Sequence, residues 1–333
     1  MGDKTSIEWT RGDDGTPGAT WNPIVGCSKV SPGCDNCYAV GTVHRGLAEQ
    51  HRGLTVRAEG ATDWTGEVRV VESMMDRPLR WTKPRRIFVN SLSDLFHPDV
   101  SDETIARIFA VMALAPQHTF QVLTKRPQRM ADMLSTMLFW KVVASHCADD
   151  QTASLSWPYR TAIANHQGLP NVWLGVSIEF DRYAFRAAHL RRTPAAVRWI
   201  SAEPLLGPLP SLDLTGIDWL VVGGESGPKA RPMHPQWVRD LRDRCGGIRE
   251  HPCAGSCLGC GADSESACVP PCRCDEGVDC DASRAAMAQW AAFLFKQGGS
   301  VLAKEWGCTD SKGGKLDEIP AEFQIREYPG GTS

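Results

Sequence analysis

The chain has 333 residues, with 42% apolar and 23% charged residues and a formal net charge of −3. That composition is ordinary for a globular protein and allows one large domain or two smaller ones. It excludes a uniformly basic surface for bulk nucleic-acid binding, and no apolar run approaches the ~20 residues needed to span a bilayer. The N-terminus, MGDKTSIEWT, lacks the apolar stretch of a secretory signal. The expectation is a cytoplasmic protein that does not enter a membrane.

Thirteen cysteines are many for a reducing compartment, where clustered thiols more often bind metal or do redox chemistry than form disulfides. Three lie at Cys27, Cys34 and Cys37. Seven lie in a second group, Cys253, Cys257, Cys260, Cys268, Cys272, Cys274 and Cys280. Cys147, Cys245 and Cys308 stand alone and read as inert packing thiols.

In chain order, a first strand is expected in TSIEWT or ATWNP, followed by the cysteine loop CSKVSPGCDNC. Further strands are expected in RRIFVNSLSD (85–94), HTFQVLTKRP (118–127), NVWLGVSIE (171–179), VRWISAEP (197–204), DWLVVGGESG (218–227) and AAFLFKQGG (291–299). These runs are apolar throughout rather than alternating, as in parallel strands covered on both faces. Helices are expected between them at 101–116, with Ser101 as N-cap, and at 127–138, 181–194 and 234–245. Residues 139–170 read as a long connection. Alternating β and α elements imply a parallel sheet with right-handed crossovers. The fold expected is α/β, an incomplete (β/α) barrel of about six or seven parallel strands. The barrel takes residues 1–245 and 285–306, a cysteine-rich metal-binding insertion takes 246–284, and a peripheral tail takes 307–333.

Ligands of such folds bind at the C-terminal strand ends, which makes the polar residues there the candidate site. The second strand ends in Asn90, Ser91, Ser93 and Asp94, and the third in Thr124, Lys125 and Arg126. Ser177 and Glu179, Glu203, Glu225 and Ser226, and Lys296 end later strands. The bland alternative is that some of these carboxylates cap loops or pair with arginines. His97 and His234 could transfer protons, or could simply bond backbone in loops.

Three readings compete for Cys27, Cys34 and Cys37. A structural zinc site needs a fourth ligand, for which His44 is the candidate. Unliganded thiols suit this spacing and setting least. An iron–sulfur cluster held by three thiolates leaves one iron open. The loop lies between a first strand and a helix, at the barrel mouth where chemistry is expected, and this context favours the open cluster.

The motifs TWNPIVGCSKVSPGCDNCYA, RIFVNSLSDLF, VLTKRP, WLGVSIE, ISAEPLLGPL, VVGGESG and FKQGG together resemble the phage-associated three-cysteine-motif family. That family is of unknown function and is related to radical S-adenosylmethionine (SAM) enzymes. The resemblance runs from about residue 5 to about 300, the insertion apart. The cysteine spacing is C-x6-C-x2-C, against C-x3-C-x2-C in the commonest radical-SAM motif. The resemblance implies a [4Fe–4S] cluster on Cys27, Cys34 and Cys37 and SAM bound at its open iron. Reductive cleavage of SAM would give a 5′-deoxyadenosyl radical that abstracts hydrogen from a substrate, and a nucleotide or nucleic-acid base is one candidate. It also implies an electron-donor protein and a three-cysteine-motif partner protein. Asn90, Ser93, Asp94, Lys125, Ser177 and Glu179 are then candidates for holding SAM, with Asp94 on its ammonium, while Glu203, Glu225 and Lys296 face the substrate. A Gly-Gly-Glu motif in radical-SAM enzymes commonly ends the second strand. Here it comes on a much later strand, so its SAM-binding role is not carried over to Glu225.

In the insertion, Cys253, Cys257 and Cys260 have the common radical-SAM spacing, but no expected strand leads into them. A small module ordered by zinc, or by a second cluster, fits better. The rival function is a non-catalytic, metal-stabilised nucleic-acid-binding protein. Its support lies in KPRR (83–86) and TKRPQR (124–129), although such runs are usually solvated surface.

Overall fold

The structure is a computed structural model and describes residues 4–12, 14–46, 48–58, 60–148, 155–245 and 291–329. The insertion cysteines, Cys253 to Cys280, lie outside the described residues. In chain order the elements are β1 (Ala19–Trp21), β2 (Ile24–Val25), α1 (Tyr38–Arg45), β3 (Thr55–Ala58), β4 (Ala61–Trp64), β5 (Arg69–Val70), α2 (Glu72–Met75) and β6 (Arg86–Val89). They continue with α3 (Asp102–Leu114), β7 (Thr119–Thr124), α4 (Pro127–Leu134), α5 (Met137–Cys147), α6 (Trp157–Ala164), β8 (Val172–Ser177) and α7 (Arg186–Arg192). The last are β9 (Val197–Ala202), β10 (Trp219–Gly223), α8 (Pro235–Arg244), β11 (Ala292–Gln297) and α9 (Gly299–Glu305).

Seven strands form one parallel sheet in the order β1-β6-β7-β8-β9-β10-β11. Apart from the step over the two antiparallel pairs, β2 with β5 and β3 with β4, the order follows the chain. Helices flank this sheet, and the result is an incomplete (β/α) barrel, as the sequence leads one to expect. The first strand lies in ATWNP. TSIEWT instead forms a short 3-10 turn, Glu8–Thr10.

Each strand has two faces, and the sequence assigns them by alternation. Val172, Leu174 and Val176 face the helices and join a core with Ile105, Phe109, Met130 and Leu190. Trp173, Trp199, Trp219, Val221, Leu294 and Phe88 face the inside of the half-barrel and cluster with Trp9. Trp9 plugs the bottom of the lumen, where its ring lies 4.6 Å from Phe88 and 5.0 Å from Trp199, and Gln121 donates to its carbonyl at 3.0 Å. Gly175 makes this floor possible, because a Cβ there would lie 2.3 Å from the Trp199 ring.

Ser101 caps α3 by accepting from the Thr104 amide at 3.1 Å. The helix expected at 127–138 breaks after Leu134, and Thr136 caps a new helix by accepting from the Phe139 amide. Residues 139–170, read above as a connection, carry most of α5 and all of α6. Their aromatic and aliphatic side chains Phe139, Trp140, Val143 and Ile163 pack in the outer core.

The tail is also more than an appendage. Ile319 and Phe323 are buried, and Phe323 stacks on Trp306 at 5.7 Å. Arg326 bridges β11 at Leu294, and Tyr328 lies 5.4 Å from Trp219 and donates to the Glu8 carbonyl. The tail thus closes the bottom of the lumen together with the N-terminal turn. Its Gly- and Lys-rich start hid Ile319 and Phe323, which dock the tail on the outer core.

Candidate active site at the mouth of the half-barrel

The cysteine loop follows β1 and β2 and runs into α1, at the C-terminal end of the sheet. Its local shape follows from its residues. Gly26 at φ 93° turns the chain out of β2, and a Cβ there would meet the Glu67 carbonyl at 2.2 Å. Pro32 opens a 3-10 turn closed by the Cys34 amide on Ser31 O (2.9 Å) and the Asp35 amide on Pro32 O (3.2 Å). The Cys37 amide reaches Cys34 O at 3.4 Å.

Three carboxylate–cation struts rise from different strand ends to this loop. After β6, the Asp94 carboxylate accepts from Phe96 N (3.0 Å) and Thr124 Oγ1 (2.7 Å) on one oxygen. On the other it accepts from Lys125 N (3.0 Å) and Arg126 Nη1 (2.9 Å). Arg126 carries the strut onward, donating from Nη2 to Ser28 O (3.0 Å) and Ser28 Oγ (2.9 Å), while Nη1 lies 3.8 Å from Cys27 Sγ. After β8, Glu179 is fully buried and accepts from Arg186 Nη1 at 3.0 Å. Lys125 Nζ lies 3.8 Å from the same carboxylate oxygen. Gly33 rests directly over this carboxylate, since a Cβ on Gly33 would sit 3.1 Å from it. After β10, Glu225 accepts from Asn36 Nδ2 (3.0 Å) and from Arg231 N, Nε and Nη2 (2.8, 2.9 and 2.5 Å). Arg231 also donates to Pro32 O at 2.8 Å.

These contacts set the electrostatics. Burial alone would raise the Glu179 carboxyl, but Lys125 and Arg186 outweigh it and hold the group below the ordinary carboxylate range. Burial likewise opposes ionisation of Glu225, and the Arg231 and Asn36 hydrogen bonds win, so its pKa is also lowered. Burial foremost, then Asp94, pushes the Cys27 thiol up to about 12, with Arg126 pulling the other way. Cys37 is raised as well, chiefly by burial.

Each expected site residue can now be located. Asp94 sits at the mouth, but with four donors its carboxylate lone pairs are filled, so it holds Arg126 rather than presenting a free acceptor. Asn90, at φ 59°, and Ser93 shape the β1–β6 edge, where Asn90 Oδ1 accepts from Ile24 N and Ser93 Oγ donates to Ile24 O. Ser91 accepts from Tyr38 OH through its carbonyl at 2.8 Å. Glu225, expected on the substrate side, anchors the loop. Ser226 accepts from Gln297 Nε2 at 2.7 Å. Strand register sets Ser177 beside Ser201. Ser201 Oγ lies 3.3 Å from Glu203, which pairs with Lys296 at 2.8 Å. Gly223 leaves room for that pair, because its Cβ would lie 2.7 Å from Glu203 Oε1. Above the tryptophan floor the lumen therefore carries a polar band of Ser177, Ser201, Glu203, Lys296 and Lys125.

The two histidines bear out the bland reading. His97 Nδ1 accepts from the Asp99 amide at 3.2 Å, so Nε2 carries the proton and donates to Ser28 Oγ at 2.7 Å. Burial foremost and Arg126 next lower the pKa of this ring. His234 caps α8 through the Gln236 amide. Sequence reasoning missed Arg186, Arg231 and Asn36 altogether. Their partners are 7, 6 and 189 positions away, and an arginine among many carries no local signal.

The donor set bears on what the loop could hold. Cys27, Cys34 and Cys37 are free thiols. His44, the expected fourth zinc ligand, turns its Nδ1 to Thr55 Oγ1 at 3.1 Å. Among the described residues no three His, Cys, Asp or Glu side chains are gathered tightly enough to share one metal ion. A single tetrahedral ion requires such a cage, whereas a cluster takes one thiolate on each of three separate irons. The three partly buried thiols, with Arg126 beside one of them, fit the second kind of group.

Residues 4–249 match the family described as protein of unknown function (DUF5131). The chain belongs to this family. The matched region holds β1 to β10, the cysteine loop and all three struts, and it ends shortly after α8. No curated protein and no solved structure matches the chain. Among the described residues no helix is long and apolar enough to cross a membrane.

Proposed function

We propose that the protein is a radical-SAM-type enzyme. Cys27, Cys34 and Cys37 would hold a [4Fe–4S] cluster whose chemistry, when bound with SAM, is one-electron reductive cleavage leading to hydrogen abstraction from a substrate. The observation that carries this reading is the cysteine loop fixed by three struts over the polar end of a half-barrel lumen. A purely structural knuckle does not require three buried carboxylates from three strand ends to orient it. The chain's own residues supply binding and shielding. Lys125 offers a cation for the carboxylate of SAM, and Ser177 and Ser201 offer hydroxyls at mid-lumen. The Glu203–Lys296 pair meets the polar part of the substrate, and a nucleotide or base is the candidate class. The aromatic floor of Trp9, Trp173, Trp199 and Trp219 excludes water from below. The insertion cysteines would hold zinc or a second cluster, and an electron-donor protein and a three-cysteine-motif protein are the proposed partners in the cytoplasm.

The rival reading, a non-catalytic nucleic-acid binder, has less support, because its basic runs are engaged within the fold. Arg85 lies over the Trp81 ring at 4.8 Å, and Arg86 over Trp173 and Tyr328 at 5.4 and 4.6 Å. Arg129 donates to the His97 and Val100 carbonyls and to Asp102. The test is to reconstitute the protein anaerobically, add SAM and dithionite, and look for 5′-deoxyadenosine by chromatography. Formation of 5′-deoxyadenosine supports the enzyme. A SAM-inert protein that binds nucleic acid in a salt-dependent way supports the rival.

A further inference from the structure

The three struts are not equivalent. Arg231 reaches the loop at Pro32 O and Asp35, and the Glu179 group supports it beneath Gly33. Neither touches a sulfur. Arg126 does. Its side chain is 10% exposed, and its guanidinium is neutralised on one side by Asp94, grips Ser28 through two hydrogen bonds, and turns Nη1 toward Cys27 Sγ at 3.8 Å. Among the described residues it is the cation within hydrogen-bond reach of a loop sulfur.

We propose that Arg126 is a positioning residue that orients Cys27 and, with Asp94 as its counter-charge, sets the reduction potential of the cluster held by the loop. The inference rests on the cluster reading above and deepens it. Hydrogen bonds to cluster sulfurs and nearby charge are among the levers that set such potentials. A reduced cluster carries one more negative charge than an oxidised one, so a fixed cation at Cys27 favours reduction. The site is largely closed to water, so this charge is weakly screened. Asp94 opposes the effect, and the balance between the two residues fixes the value. Replacing either one should therefore move the potential in a known direction, and the two directions are opposite.

The experiment is a potentiometric titration of the reconstituted full-length protein with dithionite, followed by absorbance and electron paramagnetic resonance. Arg126→Met should lower the potential by at least the 59 mV that corresponds to a tenfold loss of the reduced form in a one-electron couple. Asp94→Asn should raise it. Arg126→Lys keeps the charge but cannot fork between Asp94, Ser28 and Cys27, so it should restore part of the potential. Arg231→Met, which breaks a strut that touches no sulfur, should reduce iron bound per chain while leaving the potential of the loaded fraction unchanged. If Arg126→Met fails to fold, the Asp94→Asn and Arg126→Lys values decide. Equal potentials in wild type and the Arg126 and Asp94 variants overturn the inference and leave the cluster reading standing. A parallel fall in Arg231→Met overturns it too, by making the effect one of loop order. If wild type takes up no cluster, the functional reading fails and this inference with it.

Discussion

Glu225→Gln tests the claim that Glu225 anchors the cysteine loop instead of facing substrate. The substitution keeps shape and removes one negative charge. Glu225 is buried and accepts from Arg231 at three nitrogens and from Asn36. Breaking a buried ion pair costs about 3–5 kcal/mol. The Arg231 side chain is 33% exposed, so screening reduces this, and glutamine keeps one acceptor oxygen. A loss of ~2 kcal/mol is the reasoned value. With a urea dependence near ~3 kcal/mol per molar for a chain of this size, the midpoint should fall by roughly 0.7 M at pH 7, read by tryptophan fluorescence on the cluster-free protein. The pH dependence has a fixed sign. The folded-state pKa of Glu225 is depressed, so its contribution is present above the ordinary carboxylate range and is lost as pH falls through the folded value. The difference between wild type and variant should shrink as the pH drops below about 4. Equal midpoints at pH 7, or a difference that persists in acid, would refute the anchoring role.

The remaining predictions concern the lumen, the tail and the insertion. Gly223→Ala drives a methyl group against Glu203 Oε1, whose distance from the added Cβ is 2.7 Å, so turnover should fall at least tenfold while circular dichroism stays native. Phe323→Ala removes a fully buried ring from between Phe295 and Trp306 and should cost about 3–5 kcal/mol of stability. An unchanged melting temperature would return the tail to the periphery. Replacing residues 250–282 with a short Gly/Ser linker should leave the half-barrel and its SAM-responsive cluster intact while removing bound zinc or a second cluster. Loss of the first cluster in that variant would mean that the insertion, not the loop, holds it.

The parallel sheet was legible because strands buried on both faces are apolar throughout, as in Val172–Ser177 and Trp219–Gly223. The mouth was legible because carboxylates, serines and lysines recur where those runs end. What those residues do there was not legible. Asp94 and Glu225 look like ligand-binding acids in sequence, and the structure turns both toward arginines that hold the loop. Their partners are chosen by strand order around the barrel. The bond from Asn36 to Glu225 spans 189 positions, a distance at which no periodicity or spacing rule operates. The break between α4 and α5 had a local signal, Ser135 and Thr136 beside a second apolar run, and helix propensity alone concealed it. The tail misled for a related reason. Its polar start dominates its composition, while Ile319 and Phe323, only two buried side chains, decide where it packs.

The central claim is that Cys27, Cys34 and Cys37 hold a cluster with an iron open to SAM. The most direct measurement is the absorbance and electron paramagnetic resonance spectrum of anaerobically reconstituted protein before and after SAM is added. It should be made on wild type and on a variant with all three residues changed to Ala. The account predicts a [4Fe–4S] spectrum that SAM perturbs in wild type and no SAM-responsive signal in the triple variant. A triple variant that keeps the SAM response would contradict it.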